Sequence, residues 1–475
     1  MTNTIMIEKP FIFTIFGASG DLAKIKIFPA LYELFIQGKM PKNFRIFGFA
    51  RTAKTDSEFQ NEFIETIKEK YPKFDNQTLQ KLATHFHYIQ GNYDQIADYE
   101  KLQKEINKHS KSKTFIKLHY FAVPPTIFET IIENLGKTKH AKDDTRLIIE
   151  KPFGVSTDSA RKLFHFVGNF FDEGKVYLLD HYLGKFSVQS ILNLRHSNRI
   201  LNQMMKGTEV ANIQITAWED FGVENRFGYF EHMGAFKDMI QSHLLQVLAL
   251  VSMSIPISNS DASLHREKYS ILSAIKFNNA QKNIILGQYE TYNDELKKAG
   301  LNKNSRTETF AAIRLFIDRE SWYKVPIYIR TGKNLHKKST YITVELKKFA
   351  FQTKEEEPNR LIIELQPEPK IRIQINNRFA AENSKEETFS ATHAIANIGD
   401  SSLPEHANLI IDVINERKIN FISFPEVIAS WRLADMVEKF TKSKKTPVHI
   451  YQNHSKGPTE QHKLTQTDGF KWFEI

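Results

Sequence analysis

The residues Gly17-Ala18-Ser19-Gly20-Asp21-Leu22 follow a strand-like apolar run at 11–16 and precede a helix-like segment at 24–37. A strand, a glycine turn and a helix start offer free backbone N–H groups to a pyrophosphate, and glycine lets the backbone approach it closely. The spacing is G-x-x-G rather than the fuller G-x-G-x-x-G, so the reading leans on position as well as pattern. A second strand-like run at 44–50 leads into Arg51 and Thr52, where an NAD site usually offers Asp or Glu to the ribose hydroxyls. A guanidinium there can fork onto a 2′-phosphate, which favours NADP over NAD. A solvated surface arginine is the plain alternative.

A second group surrounds Asp180-His181-Tyr182-Leu183-Gly184-Lys185, after a strand-like run at 176–179. His181, Tyr182 and Lys185 at a helix start suit a phosphate; a capping Asp with surface neighbours suits the same spacing. His243 lies on an apolar helix read over 238–253, on one face with Met239, Gln246 and Val247. Such a histidine is more often a core residue than a base, and a carboxylate partner changes that balance by fixing its tautomer. Asp180 is a candidate partner that only the fold can bring to it. Lys151 follows a strand end in Glu150-Lys151-Pro152-Phe153-Gly154, where a Lys-Pro bond can be cis. Lys333 ends a later strand-like run, as an anion ligand or simply solvated.

The elements that must hold these groups fall into two patterns. Over the first 180 residues, strand-like runs at 11–16, 44–50, 118–123, 146–149 and 176–179 alternate with helix-like segments. One of these, 56–71, opens with Thr55 and Glu58 at capping-box spacing and stops at Pro72. Alternation of this kind predicts a parallel sheet with right-handed crossovers. Beyond about residue 185, a helix at 186–195 is followed by strand-like runs at 211–218, 283–289, 309–317, 325–331, 341–346, 360–365 and 370–375, which predict an antiparallel sheet. The fold class read from this is α/β plus α+β: a Rossmann-like dinucleotide-binding domain over 1–180 and a larger, mostly antiparallel domain over 181–475.

Composition narrows the chemistry. The chain has 475 residues, 41% of them hydrophobic and 25% charged, as in ordinary globular proteins. It has no cysteine, which removes thiol catalysis, disulfides and Cys-ligated metal sites and fits a reducing, cytoplasmic setting. No run reaches the ~18 apolar residues of a membrane span. The 17 histidines show no H-x-x-x-H pair with a supporting glutamate, so no metal site is expected. A net charge of +10 alone fits nucleic acid, a membrane surface or small anions. The lysine pairs Lys337-Lys338 and Lys444-Lys445 lack interleaved aromatics, which argues against nucleic acid.

Taken together, GASGDLAKIKIFPALYEL from Gly17, GFAR to Arg51, GNYD from Gly91, FAVPP from Phe121, IIEKPFG from Ile148, DHYLGK from Asp180, the 219–243 block, ILGQY from Ile285, TETFAA from Thr307 and VPIYIRTGK from Val325 resemble the glucose-6-phosphate dehydrogenase family. The resemblance spans nearly the whole chain and rests on the joint order of the motifs. It implies oxidation of β-D-glucose 6-phosphate to 6-phosphogluconolactone with NADP⁺, the entry to the pentose phosphate pathway. It implies His243 as general base and Asp180 as its orienting carboxylate. It implies His181, Tyr182, Lys185 and Lys333 as phosphate ligands, and Lys151, Glu219 and Asp238 at the sugar hydroxyls, with Gln366 as a further candidate. Gly17, Ser19, Gly20, Asp21, Leu22 and Arg51, with Lys151 nearby, fall on the NADP side. A homodimer or homotetramer through the second domain's sheet is the implied assembly, with no nucleic acid or membrane partner.

The chain departs from the family pattern at four places. Leu178 and Phe186 stand where the family has Arg and Glu. Lys337 stands near a position that is often Arg. The stretch His406-Ala407-Asn408-Leu409-Ile410-Ile411-Asp412 replaces Y-E-R-L-L-x-D, which is expected to touch only the second domain's packing. A related dehydrogenase of altered sugar preference and a non-catalytic NADP-binding sensor remain open as alternatives.

Overall fold

A computed structural model describes residues 6–110, 115–138, 144–258, 260–277, 279–301, 304–352, 356–380, 387–397, 403–441 and 446–475; the pair Lys444-Lys445 lies outside them. The chain divides into two compact units, 1–185 with 401–428, and 186–400 with 429–475.

In the first unit the strands are β1 (Phe11–Phe16), β2 (Phe44–Ala50), β3 (Phe86–Gln90), β4 (Ile116–Phe121), β5 (Thr145–Glu150) and β6 (Val176–Leu179). They form a sheet in the order β3-β2-β1-β4-β5-β6, and every pairing is parallel. Parallel sheets are covered on both faces, so their strands read as continuous apolar runs; all six residues of β1 are buried. The order reverses between β1 and β4, which opens a crevice at the carboxyl ends of these strands. The helix Asp56–Lys70 carries the expected capping box, with Thr55 and Glu58 each bonding the other's backbone.

The first unit also takes in a segment that the sequence pattern had left with the second domain. The helix Glu405–Ile414 packs Ala407, Leu409 and Ile410 into the same apolar core as Phe11, Phe13 and Ile15 of β1. Arg146, fully buried on β5, donates to the carbonyls of Val413 and Ile414 and pairs with Asp144 and Glu416. Ile422 adds an antiparallel bridge to Leu178 on β6. These contacts are remote in sequence, so local pattern carried no sign of them. The His406–Asp412 departure therefore concerns the first unit rather than the second.

The second unit holds β7 (Val210–Trp218), β8 (Ile275–Lys276), β9 (Ile284–Tyr289), β10 (Phe310–Ile317), β11 (Ile327–Gly332), β12 (Ser339–Leu346), β13 (Arg360–Gln366), β14 (Lys370–Ala380), β15 (Glu387–Asn397) and β16 (Val448–Tyr451). The order is β15-β14-β13-β12-β7-β11-β10-β9-β16, with β8 on β10. Pairing is antiparallel except for β11 with β7 and β16 with β9.

The helix expected over 238–253 is not one regular α-helix. A π-helical stretch, Phe236–Leu244, precedes an α-helix, Leu245–Ser252. Phe236–Leu244 is buried on nearly every side, so no one-sided apolar stripe marks its period in the sequence.

Candidate active site

In the first unit the glycine turn sits at the β1/β4 crevice. The Gly17 N–H donates to Phe49 O at 2.9 Å, and the Gly20 N–H donates to Gly17 O at 2.9 Å. Gly17 has φ +87°, and a Cβ there would lie 2.3 Å from the carbonyl oxygen of Ala122, the residue after β4. Any side chain is excluded both by conformation and by space, so the turn is held tightly against the residue that follows β4. Ser19, Gly20, Asp21 and Leu22 continue the turn into the helix start and are at least partly exposed. This geometry fits a nicotinamide dinucleotide's pyrophosphate. Arg51 follows β2, is exposed, and holds its guanidinium 5.9 Å from the Tyr93 ring. Tyr93 comes from the GNYD stretch, and desolvation raises its phenol pKa.

Asp180 follows β6 and caps the next helix, accepting from the Tyr182 N–H at 2.9 Å. That helix, His181–Gly184, is only four residues long. Its dipole is correspondingly slight, so the helix start itself has little to offer an anion. The Lys185 ammonium lies 3.9 Å from the Tyr182 ring centroid, and the His181 ring meets Tyr182 edge-on at 5.3 Å. Burial raises the pKa of Asp180, while His181, Lys151 and Lys185 pull it back. The unit thus gathers one buried carboxyl and three potential cations. The Lys151–Pro152 bond is cis. Beside it, Glu150 accepts from Tyr120 and faces His406 Nε2 at 3.5 Å, a pairing that sequence gave no reason to expect.

In the second unit register does the gathering. Trp218 pairs with Gly332 on β11 and with Ser339 on β12. Thr340 pairs with Ala217 and with Gln366. Glu219, Lys333 and Gln366 therefore emerge at one end of the sheet. The Lys333 ammonium meets Glu219 Oε2 at 2.6 Å, between the rings of Phe221 and Phe230. Gln366, half-buried, accepts from the Thr340 hydroxyl at 3.4 Å. Lys337 donates to Ile475 O at 2.7 Å and lies over Trp218, so it is tied to the chain's last residues.

Asp238 and His243 are both buried, at 3% and 1% exposure. On an α-helix, residues five apart point about 140° apart. In a π-helix the i→i+5 bonding brings them roughly one turn apart, on the same side. The π-helical stretch thus supplies an alignment that the α-helical reading of His243 lacked. Arg226, unremarked in the sequence, stands 3.8 Å from Asp238.

Known proteins match this arrangement along its whole length. The profile described as "Glucose-6-phosphate dehydrogenase, NAD binding domain" matches residues 14–190, and that described as "Glucose-6-phosphate dehydrogenase, C-terminal domain" matches residues 192–473. The chain belongs to the glucose-6-phosphate dehydrogenase family. Among similar members of this family, the glucose-6-phosphate 1-dehydrogenase of Streptococcus pneumoniae is 33% identical, covering 97% of this chain and 96% of its own. That of Cyberlindnera jadinii is 34% identical, with 96% and 94% covered. A solved glucose-6-phosphate dehydrogenase in complex with its substrate glucose 6-phosphate is 28% identical, with 99% of each chain covered and a TM-score of 0.90. The Mycobacterium avium enzyme is 29% identical, with 98% and 99% covered and a TM-score of 0.87. The family's dinucleotide-binding domain fits the first unit's sheet and glycine turn, and with it a nicotinamide cofactor. Among the described residues, no helix is long and apolar enough to cross a membrane.

Proposed function

We propose that the chain oxidises β-D-glucose 6-phosphate at C1 to 6-phospho-D-glucono-1,5-lactone, with NADP⁺ as the oxidant. The observation that carries this reading is the match to both family domains along the chain, with Asp180, His181, Lys185, Lys333 and His243 in place at the motif positions. His243 takes the proton of the C1 hydroxyl as hydride leaves C1. The cofactor, when bound, supplies the hydride acceptor at its nicotinamide ring. Asp180 has the role of orienting carboxylate. Lys185, Lys333, His181 and Tyr182 hold the phosphate by charge-assisted hydrogen bonds. Lys151, Glu219, Asp238 and Gln366 take the sugar hydroxyls. Alignment of C1, rather than new chemistry, is the protein's main contribution.

On the cofactor side, Gly17 gives close backbone approach, Ser19, Gly20, Asp21 and Leu22 continue the phosphate-facing turn, and Lys151 lies near. Arg51 takes the 2′-phosphate. Its support is its exposed place after β2, where no carboxylate stands to bind the ribose hydroxyls of NAD.

The proposal extends to a cytoplasmic homodimer or homotetramer. The cysteine-free composition supports the reducing setting. Exposed Ile375 on β14 and Ile395 on β15 support association through the second unit's sheet. Light scattering on the purified chain tests the assembly; a strict monomer overturns it.

The decisive assay follows NADPH absorbance with NADP⁺ or NAD⁺, and with glucose 6-phosphate, glucose or neither. Reduction of NADP⁺ only with glucose 6-phosphate supports the reading. Equal rates with glucose point to altered sugar preference, and no reduction at all points to a sensor.

A further inference from the structure

The TETFAA motif has no role in the chemistry above. Its side chains lie in the second unit, between the elements that carry the site residues. At Gly234 the backbone leaves helical conformation, with φ +64° and ψ 170°, and the π-helical stretch begins two residues later. The first N–H groups of a helix have no partner within it. Here two are met by one residue: the Ala235 N–H donates to Glu308 O at 2.9 Å, and the Phe236 N–H donates to Glu308 Oε1 at 3.2 Å. A Cβ at Gly234 would lie 2.2 Å from that oxygen, so glycine is what lets the carboxyl reach the helix start.

The neighbouring threonines extend the tether. The Thr307 hydroxyl donates to Glu231 O at 3.1 Å. Thr309 O accepts the Lys333 N–H at 2.9 Å, and the Tyr451 hydroxyl donates to Lys333 O at 2.7 Å while bonding Thr309 Oγ1. One tripeptide, Thr307-Glu308-Thr309, therefore holds the backbone of Lys333 on one side and the start of the stretch bearing Asp238 and His243 on the other.

We propose that Glu308 is a positioning residue for the reaction: its carboxyl fixes where the π-helical stretch begins and so sets Asp238 and His243 in register with Lys333. The proposal rests on the functional reading above. Lys237 and Glu438, themselves paired at 3.1 Å, act on Glu308 electrostatically, and Glu231, His232 and Arg306 share with it the lining of a cleft of about 410 Å³. None of these groups supplies the acceptor for Phe236.

Three variants test it: Glu308→Gln keeps an acceptor oxygen in place, Glu308→Asp keeps a carboxyl but withdraws it, and Glu308→Ala removes the acceptor altogether. The expected result, assayed well below each variant's Tm, is at least a tenfold fall in kcat for Ala and Asp, a raised KM for glucose 6-phosphate, and recovery to within about threefold in Gln. NADP⁺ Kd stays unchanged, because the cofactor turn lies in the other unit. Wild-type kcat in the Asp variant overturns the proposal, as does equal impairment of Gln and Asp. If Ala does not fold, the Gln and Asp pair decides alone. Amide exchange separates this from the functional reading: loss of protection over 236–244 in the Asp variant supports the tether even where the wild type shows no glucose 6-phosphate oxidation, and unchanged protection there overturns it.

Discussion

Lys333 and Glu219 form an ion pair, ammonium to carboxylate at 2.6 Å, at the ends of two neighbouring parallel strands. The ammonium is nearly sealed from solvent, while the carboxylate is about one-fifth exposed. A lysine held this way has lost its hydration and keeps one counter-charge, so an arriving phosphate competes for a cation already stripped of water. Lys333→Met keeps the stem against Phe221 and Phe230 and removes the charge. The expected outcome is a KM for glucose 6-phosphate raised at least tenfold, with Tm held within a few degrees. A KM within twofold of wild type removes Lys333 from phosphate binding.

The cofactor turn makes a steric prediction. Gly17→Ala drives a methyl to 2.3 Å from Ala122 O at a positive φ. Such strain costs of order 1–3 kcal/mol, and relief requires the turn to move. NADP⁺ affinity, read by fluorescence titration, is expected to fall at least tenfold, together with a lowered Tm. Normal binding would mean that the cofactor does not use this turn.

Arg51 makes a prediction about choice of cofactor. A lost charge-assisted contact is worth about 1.5–3 kcal/mol, or roughly 10- to 150-fold. Arg51→Ala should lower kcat/KM for NADP⁺ by that factor and leave NAD⁺ within about threefold. Equal losses on both contradict a 2′-phosphate contact.

The glycine turn, the Thr55–Glu58 capping box and strands such as β1 and β2 follow from local pattern, and the structure places them where pattern put them. What escaped is non-local or degenerate. The docking of 401–428 rests on partners such as Arg146 and Val413, 267 positions apart. Strands β3, β8, β15 and β16 are not marked by the sequence pattern. The π-helical stretch is buried nearly all round and shows no one-sided stripe, so the alignment of Asp238 with His243 became visible only in the backbone. Glu308 stood inside a quoted motif, yet nothing in its spacing pointed to Phe236.

Leu178 tests one of the departures. It is 1% exposed on β6, and its carbonyl accepts the Ile422 N–H at 3.1 Å. Leu178→Arg restores the family's residue without the family's glutamate at Phe186. A buried guanidinium without a partner is expected to cost at least about 3 kcal/mol. Thermal unfolding should show Tm lowered by several degrees; an unchanged Tm would show that the site still accommodates the charge.

Glu308 carries a pH prediction separate from its effect on turnover. Desolvation pushes its carboxyl up to about 7, from an ordinary value of 4.5, against the pull of backbone N–H groups and Lys237. The folded state therefore keeps this proton where the unfolded chain has lost it. As pH rises from about 4.5 to about 7, the unfolded state binds fewer protons than the folded one, and stability falls; above that window both are ionised and the slope vanishes. Gln at this position cannot titrate. The Tm difference between wild type and Glu308→Gln should thus shift steadily against wild type from pH 5 to pH 7 and then level off. Parallel Tm curves over that range would show that Glu308 titrates at its ordinary value.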